Sequence, residues 1–245
     1  MRFGAPHRHF RSVDSTNAQL KQLALAEAPG GTVVTADEQT AGRGRRGNQW
    51  FAPAGACLLY SALLRPFDAD RGPVLPLTVP IAVCEAAEAV APVRCQVKWP
   101  NDVWIDERKV AGVLVEARPE EDWAVIGVGL NVAIREEDFP AELRETAISL
   151  LPTEAEGGLA AGGAPGVTRA LRALNESLDR WTDASTDETL SAFRARDALS
   201  GRRISWDGGE GVAAAIDEHG HLVVEIAGGE RITLGAGEVH LAIER

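Results

Sequence analysis

The sequence contains no C-x-x-C pair, no G-x-x-x-x-G-K-[ST] loop and no apolar run close to the roughly 20 residues that span a bilayer. Its three cysteines, Cys57, Cys84 and Cys95, are odd in number, widely spaced and set in apolar stretches. Nothing in that pattern suggests a disulfide framework or a zinc site. The thiols read as small core residues, which fits a reducing cytoplasm. Residues Met1 to Arg11 are polar and lack the apolar stretch of a secretory signal. The missing P-loop excludes that route to nucleotide binding. His7, His9, His219, His221 and His240 have no metal-ligand company in the sequence, and they read as structural or solvent-facing. No Ser–His–Asp set sits in the context of a nucleophile elbow. Basic charge is also scarce: the formal net charge is −11, which argues against a general binder of nucleic acid or anionic membrane.

What is present suits a globular chain. The 245 residues allow one medium domain, or a larger one with a small second domain, and a 45% hydrophobic fraction supports a core. Asp14-Ser15-Thr16-Asn17 is a helix start, and Pro29-Gly30-Gly31 a stop. Thr32–Thr35 and Cys57–Leu64 read as strands, and Leu77–Ala91 as a core helix with Pro76 near its first turn. Arg94–Lys98, Val103–Ile105, Val110–Ala117 and Trp123–Val132 read as further strands. Residues 154–166 are rich in Gly and Ala and read as a mobile surface loop. Amphipathic helices follow at about 168–182 and 186–198. From Arg202 onward, five short strands suggest a small barrel: Arg203–Trp206, Val212–Asp217, Leu222–Ile226, Arg231–Leu234 and Val239–Ile243. The boundary is placed near residue 199.

Three motifs carry chemistry. Gly42-Arg43-Gly44-Arg45-Arg46-Gly47, followed by Trp50, concentrates three guanidinium groups in an acidic chain. Arginine grips carboxylate or phosphate through paired hydrogen bonds, and glycine lets backbone approach an anion. Without an anion such a loop should repel itself and stay mobile, so a lid ordered by its ligand is the sharp reading. A solvated basic turn and an RG-type nucleic-acid contact are the plainer ones. Lys98-Trp99-Pro100-Asn101-Asp102 sets a lysine at a strand end before a rigid turn, where its compact charge suits an oxygen gaining negative charge. Gly127-Val128-Gly129-Leu130-Asn131 marks a strand that a ligand or another backbone can approach, or a tightly packed sheet. It lacks the third glycine of a dinucleotide fingerprint.

In combination, these motifs resemble the bacterial biotin protein ligases. Asp14–Asn17, Gln39, the arginine loop with Trp50, Lys98–Asp102, Lys109-Val110-Ala111-Gly112, Gly127–Asn131 and Gly237-Glu238-Val239-His240-Leu241 follow the family's order over nearly the whole chain. The resemblance implies an α+β fold. Residues 1–198 would form a mixed-sheet catalytic domain like those of class II aminoacyl-tRNA synthetases, and residues 199–245 an SH3-like domain. It implies that biotin and ATP give biotinyl-5′-AMP and pyrophosphate, and that biotin then passes to a lysine of a biotin carboxyl carrier domain. Lys98 and Arg45 would be catalytic. Ser15, Thr16, Asn17, Gln39, Arg43, Gly44, Arg45, Lys98, Gly127 and Gly129 would hold biotin. Arg43, Arg45, Arg46, Trp50 and Asn131 would hold ATP. Mg²⁺ would come with ATP, with no metal ligands from protein side chains.

Two departures from the family pattern refine this. Only 14 residues precede Ser15, so no N-terminal helix-turn-helix and no DNA partner are expected. Leu241-Ala242 stands where relatives often carry an arginine after the leucine, so no ATP contact is assigned to the C-terminal domain. A cytoplasmic monomer or weak homodimer, with no membrane partner, is expected. The rival readings are a lipoate or octanoate ligase of the same superfamily, a nucleic-acid-binding module using Arg43–Arg46, and an inactive scaffold.

Overall fold

The structure is a computed structural model that describes residues 1–155, 164–235, 237 and 239–242. Three long strands define its frame: β3 (Cys57–Leu64), β6 (Arg108–Arg118) and β7 (Trp123–Asn131). The middle strand β7 pairs antiparallel with both others. Side chains alternate across the sheet, so Leu58, Tyr60 and Ala62 enter the main core while Ser61 and Leu63 face the opposite side. With β1 (His7–Val13), β2 (Val33–Gln39), β4 (Gln96–Lys98) and β5 (Asp102–Ile105), a seven-stranded sheet forms in the order β1-β2-β3-β7-β6-β5-β4. Its one parallel pair, β1 with β2, is joined by helix α1 (Thr16–Leu25) as the crossover.

Two helical layers cover the sheet. Helix α1 lays Leu20 and Ala24 on Val34, Leu63 and Val125. The other face is covered by α2 (Leu75–Val90), which is buried along nearly its whole length and packs against α3 (Pro165–Trp181) and α4 (Thr186–Arg194). A helix apolar on all sides belongs inside a core. The second sheet is antiparallel throughout, in the order β11-β10-β9-β8-β12. Its strands are β8 (Arg203–Trp206), β9 (Gly209–Ile216), β10 (Leu222–Glu225), β11 (Arg231–Leu234) and β12 (Val239–Leu241). The last strand returns to pair with β8, as a small barrel requires. The mixed α+β architecture expected from the sequence is the one observed. Among the described residues, no helix is long and apolar enough to cross a membrane.

Several local expectations change. Strand β1 was not foreseen, because its mostly exposed side chains give no apolar alternation. On it, His7 Nε2 and His9 Nδ1 lie 2.8 and 2.9 Å from Thr35 Oγ1, which anchors an edge strand to its neighbour. Ser15 occupies the N-cap of α1, but its side chain makes no capping bond. Helix α3 begins at Pro165, inside the segment read as a loop, while residues 156–163 of that segment lie outside the described residues. Glu238 of the terminal motif and Ile243 of the last expected strand also lie outside them. All three cysteines are buried and free.

One polar clamp ties α2 to the segment ahead of the barrel. Arg196 donates two parallel bonds to Glu88, at 2.7 and 2.8 Å, and a third to Cys95 O at 3.1 Å. Burial alone pushes the Glu88 carboxyl up, but the bonds from Arg196 and from Cys95 N–H outweigh it and hold the carboxyl below its ordinary value of 4.5. A depressed carboxylate stabilises the fold fully above that ordinary value, and the contribution disappears as pH falls through the lower folded value. Glu88→Gln is therefore expected to cost about 1–2 kcal/mol at pH 7, and the cost should shrink progressively as pH falls below the ordinary carboxylate range. Denaturant melts from pH 7 downward check this; a loss that stays constant with pH would place the effect in packing instead.

Candidate functional site

A cavity of about 120 Å³ opens where the start of α1, the arginine loop, the Lys98–Asp102 turn and the glycines of β6 and β7 converge. Gly237 and Val239 of the small barrel complete its wall. Most residues chosen from the sequence meet there: Ser15, Thr16, Asn17, Gln39, Arg43, Gly44, Arg45, Arg46, Trp50, Lys98, Gly127 and Gly129 all line it. Asn131 does not belong to that lining. Its amide donates to Ile148 O at 3.1 Å, and its Oδ1 lies 3.9 Å from Cys57 Sγ. Burial pushes the Cys57 thiol up to about 12, so that contact stays neutral.

One wall is neutral and polar. Gln39 Oε1 accepts from Thr16 N–H at 2.7 Å and lies 3.1 Å from Thr16 Oγ1. Gln39 thus takes the role at the helix start that Ser15 was expected to play. Ser61 Oγ lies 2.8 Å from Thr16 Oγ1 and 2.5 Å from Asn17 Oδ1. Asn17 rests directly on β7: a Cβ on Gly127 would stand 2.3 Å from its Oδ1. Gly127 therefore admits a protein side chain here, where the sequence suggested a bound ring.

The cavity lining also carries a cluster of cations. The arginine loop folds as a short hairpin. Trp50 N–H donates to Gly42 O at 3.2 Å, Gly44 N–H donates to Asn48 O at 2.7 Å, and Arg43 bridges to Gln49. A 3-10 turn over Arg45–Gly47 forms the tip, with Arg46 at φ 56° and Gly47 at φ 82°. Repulsion is relieved because the guanidinium groups find separate partners. Arg45 Nη1 donates to Asn101 Oδ1 at 3.1 Å, and Arg46 Nη2 sits 3.4 Å from Asp207 of the barrel. The second pair is solvent-exposed, so it contributes little.

Trp50 enters the cavity and lies over the paired glycines Gly112 and Gly129. A Cβ on Gly129 would stand 2.5 Å from the indole, and one on Gly112 would stand 3.1 Å from it. The indole Nε1 is buried and has no hydrogen-bond partner among the described residues. Lys109 Nζ sits 5.6 Å from the Trp50 ring centre and pairs with Asp102 at 2.6 Å. Lys98 Nζ lies 5.1 Å from the Trp104 ring centre. Lys109, Asn101 and Ser61 were given no role from the sequence. Lys109 could have been found from its place three residues before Gly112 in the quoted motif; Ser61 lies in an apolar strand and gave no signal.

Fold and site together define an α+β protein with a cavity over the central strands of a mixed sheet, lined by neutral hydrogen-bonding groups and by a cluster of cations. The chain belongs to the biotin/lipoate A/B protein ligase family, whose model matches residues 9–132. It is 35% identical over 240 residues to the biotin–[acetyl-CoA-carboxylase] ligase of Mycobacterium tuberculosis, covering 92% of this chain and 85% of that protein. It is 40% identical over 148 residues to the bifunctional ligase/repressor BirA of Bacillus spizizenii, covering 59% of this chain and 46% of that protein. The match to the Bacillus protein thus spans less than half of that protein's length. Among solved structures, it resembles the biotin protein ligase of Aquifex aeolicus in complex with biotin and ATP. The TM-score is 0.78 at 27% identity, covering 96% of this chain and 99% of that one.

Gly129→Ala is expected to push the Trp50 indole off the sheet and toward water. Tryptophan emission should shift to the red with far-UV dichroism unchanged, and the shift should vanish in a Trp50→Phe background. Emission that stays put would mean the indole does not rest on Gly129.

Proposed function

We propose that this chain is a biotin protein ligase working in two steps in one cavity. The observation that carries the reading is the facing of Thr16, Asn17 and Gln39 by Arg43, Arg45, Lys98 and Lys109 across a single small space. The neutral wall suits a polar, uncharged head group. The cations suit a carboxylate and a phosphate that must meet despite like charge. The similarity to proteins named as biotin ligases supports biotin over lipoate.

In the first step a biotin carboxylate oxygen attacks the α-phosphorus of ATP. The P–O bond to pyrophosphate breaks, and biotinyl-5′-AMP remains. In the second, the neutral amine of a carrier-domain lysine attacks the acyl carbon, AMP leaves, the nitrogen loses a proton and an amide results. Arg43 and Arg45 hold the anions. Arg46 and Trp50 serve the nucleotide, Trp50 by leaving Gly129 and stacking on the base. Asn131 would have to give up its bond to Ile148 to reach the nucleotide. Lys98 and Lys109 balance charge on the α-phosphate. Lys109 is fixed by Asp102 and stands beside the glycine floor.

The residues fit Mg²⁺ arriving on the nucleotide. Among the described residues no cluster of three metal-ligating side chains exists, and Asp102 is the cavity's carboxylate. Mg²⁺ commonly binds through one or two carboxylates and substrate phosphates, and it would screen those phosphates here. The division into residues 1–198 and 199–245, a cytoplasmic setting that matches the buried thiols, and a monomer or weak homodimer belong to the same reading.

The test is ATP–pyrophosphate exchange with Mg²⁺, with biotin and with lipoate in parallel. Exchange with biotin alone is expected; exchange with lipoate alone would reassign the acyl group, and none with either would end the ligase reading. Lys109→Ala should lower the exchange rate by about 10²–10³-fold, and Lys98→Ala by about tenfold or more. An unchanged rate in either variant removes that lysine from the reacting centre.

A further inference from the structure

We infer that Glu116 sets the direction of the hydrogen bonds that run from Asn17 through Ser61 to Thr16, and thereby helps select a head group that carries both N–H donors and a carbonyl. The inference rests on the biotin reading above and deepens it. Glu116 lies on β6, outside the cavity lining. Asn17 Nδ2 donates to its Oε2 at 2.8 Å, and Lys21 Nζ sits 2.8 Å from its Oε1.

An ionised carboxylate only accepts hydrogen bonds. Burial pushes the Glu116 carboxyl up, but the bonds from Lys21 and Asn17 prevail and hold it below its ordinary value, so it stays ionised at neutral pH. The Asn17 side facing Glu116 must therefore be the NH₂. Leu114 O, 3.5 Å from the same nitrogen, acts in the same sense. The Asn17 oxygen must then face Ser61, 2.5 Å away, so the single Ser61 hydroxyl proton goes to Asn17. Ser61 is fully buried and has no other proton to offer. Its oxygen then accepts the Thr16 hydroxyl proton, and Gln39 Oε1 is held by the Thr16 backbone N–H alone. The Gln39 NH₂ is left as the donor.

One anion, Glu116, therefore fixes a chain of neutral groups, Asn17, Ser61 and Thr16, while the Thr16 backbone N–H orients Gln39. Asn17 Oδ1 and Thr16 Oγ1 keep accepting lone pairs, and Gln39 Nε2 donates. A cyclic urea, with two N–H groups and a carbonyl, complements that pattern; a dithiolane ring offers neither. Without Glu116 the Asn17 amide can turn over, and donor would meet donor. Glu116 is in this sense a positioning residue.

The experiment measures biotin affinity by calorimetry, together with the ATP KM and the melting temperature. Wild-type protein is compared with Glu116→Met, with Lys21→Met, and with Lys21→Met carrying Glu116→Gln. Glu116→Met should weaken biotin by about 10–100-fold while the ATP KM stays within about twofold. Lys21→Met should leave biotin affinity nearly unchanged, since Asn17 keeps its acceptor. In that background Glu116→Gln should also bind nearly normally, because the glutamine oxygen is free to face Asn17. Unchanged biotin affinity in Glu116→Met overturns the inference, as does a loss reproduced by Lys21→Met or one shared equally with ATP. If Glu116→Met does not fold, the Lys21→Met pair decides: weak biotin binding by the folded Glu116→Gln double variant overturns the inference. Failure of wild-type protein to bind biotin would instead sink the biotin reading, and this inference with it.

Discussion

Asn17 and Trp50 can rest on the sheet only because Gly112, Gly127 and Gly129 carry no side chains. Any Cβ at Gly127 or Gly129 would stand within 2.5 Å of an atom already there. These are the central strands of the sheet, where a glycine normally weakens the structure by removing packing. Here the lost packing is replaced by two side chains from other elements, one polar and one aromatic. Asn17 over Gly127 and Trp50 over Gly129 sit two residues apart along the same strand, β7.

The small barrel matters for the same reason. Trp99, almost fully buried, donates its indole N–H to Gly220 O in the barrel at 3.0 Å. This ties the turn after Lys98 to the second sheet. Arg194 makes a similar tie, donating to Ile216 O at 2.8 Å. With Gly237 and Val239 on the cavity wall, the barrel acts as the third side of the site. The absence of an arginine after Leu241 therefore does not remove this part of the chain from the site; it contributes backbone and apolar surface in place of charge.

Much of the frame was legible because apolar runs dictate it. Cys57–Leu64 and Trp123–Asn131 could only be buried strands, and the helix over residues 75–90 could only be buried. The first strand was not legible, since its partner is a neighbouring backbone and its side chains face water. The arginine loop was legible as chemistry but not as shape. Local repulsion suggested disorder, while Asn101 and Asp207, which separate the charges, come from distant parts of the chain. Ser61 and Glu116 were illegible for a related reason. Each acts through Asn17, and that juxtaposition exists only once α1 lies across the sheet. Ser15 shows the limit of a local rule: the residue sits where a cap belongs, yet a glutamine 24 positions along makes the bond to Thr16.

The unpaired indole N–H of Trp50 has a thermodynamic consequence. A buried donor without a partner leaves the closed arrangement less stable than its packing alone would make it. With the indole inside, the space is about 120 Å³, below the roughly 300 Å³ at which small-molecule pockets usually begin. The protein alone thus behaves as its own weak competitor. A fragment too small to evict the indole meets a filled site. A molecule large enough to do so gains the contacts of the glycine floor and releases the indole, whose nitrogen can then find a partner. Affinity should therefore rise in a step with ligand size instead of smoothly.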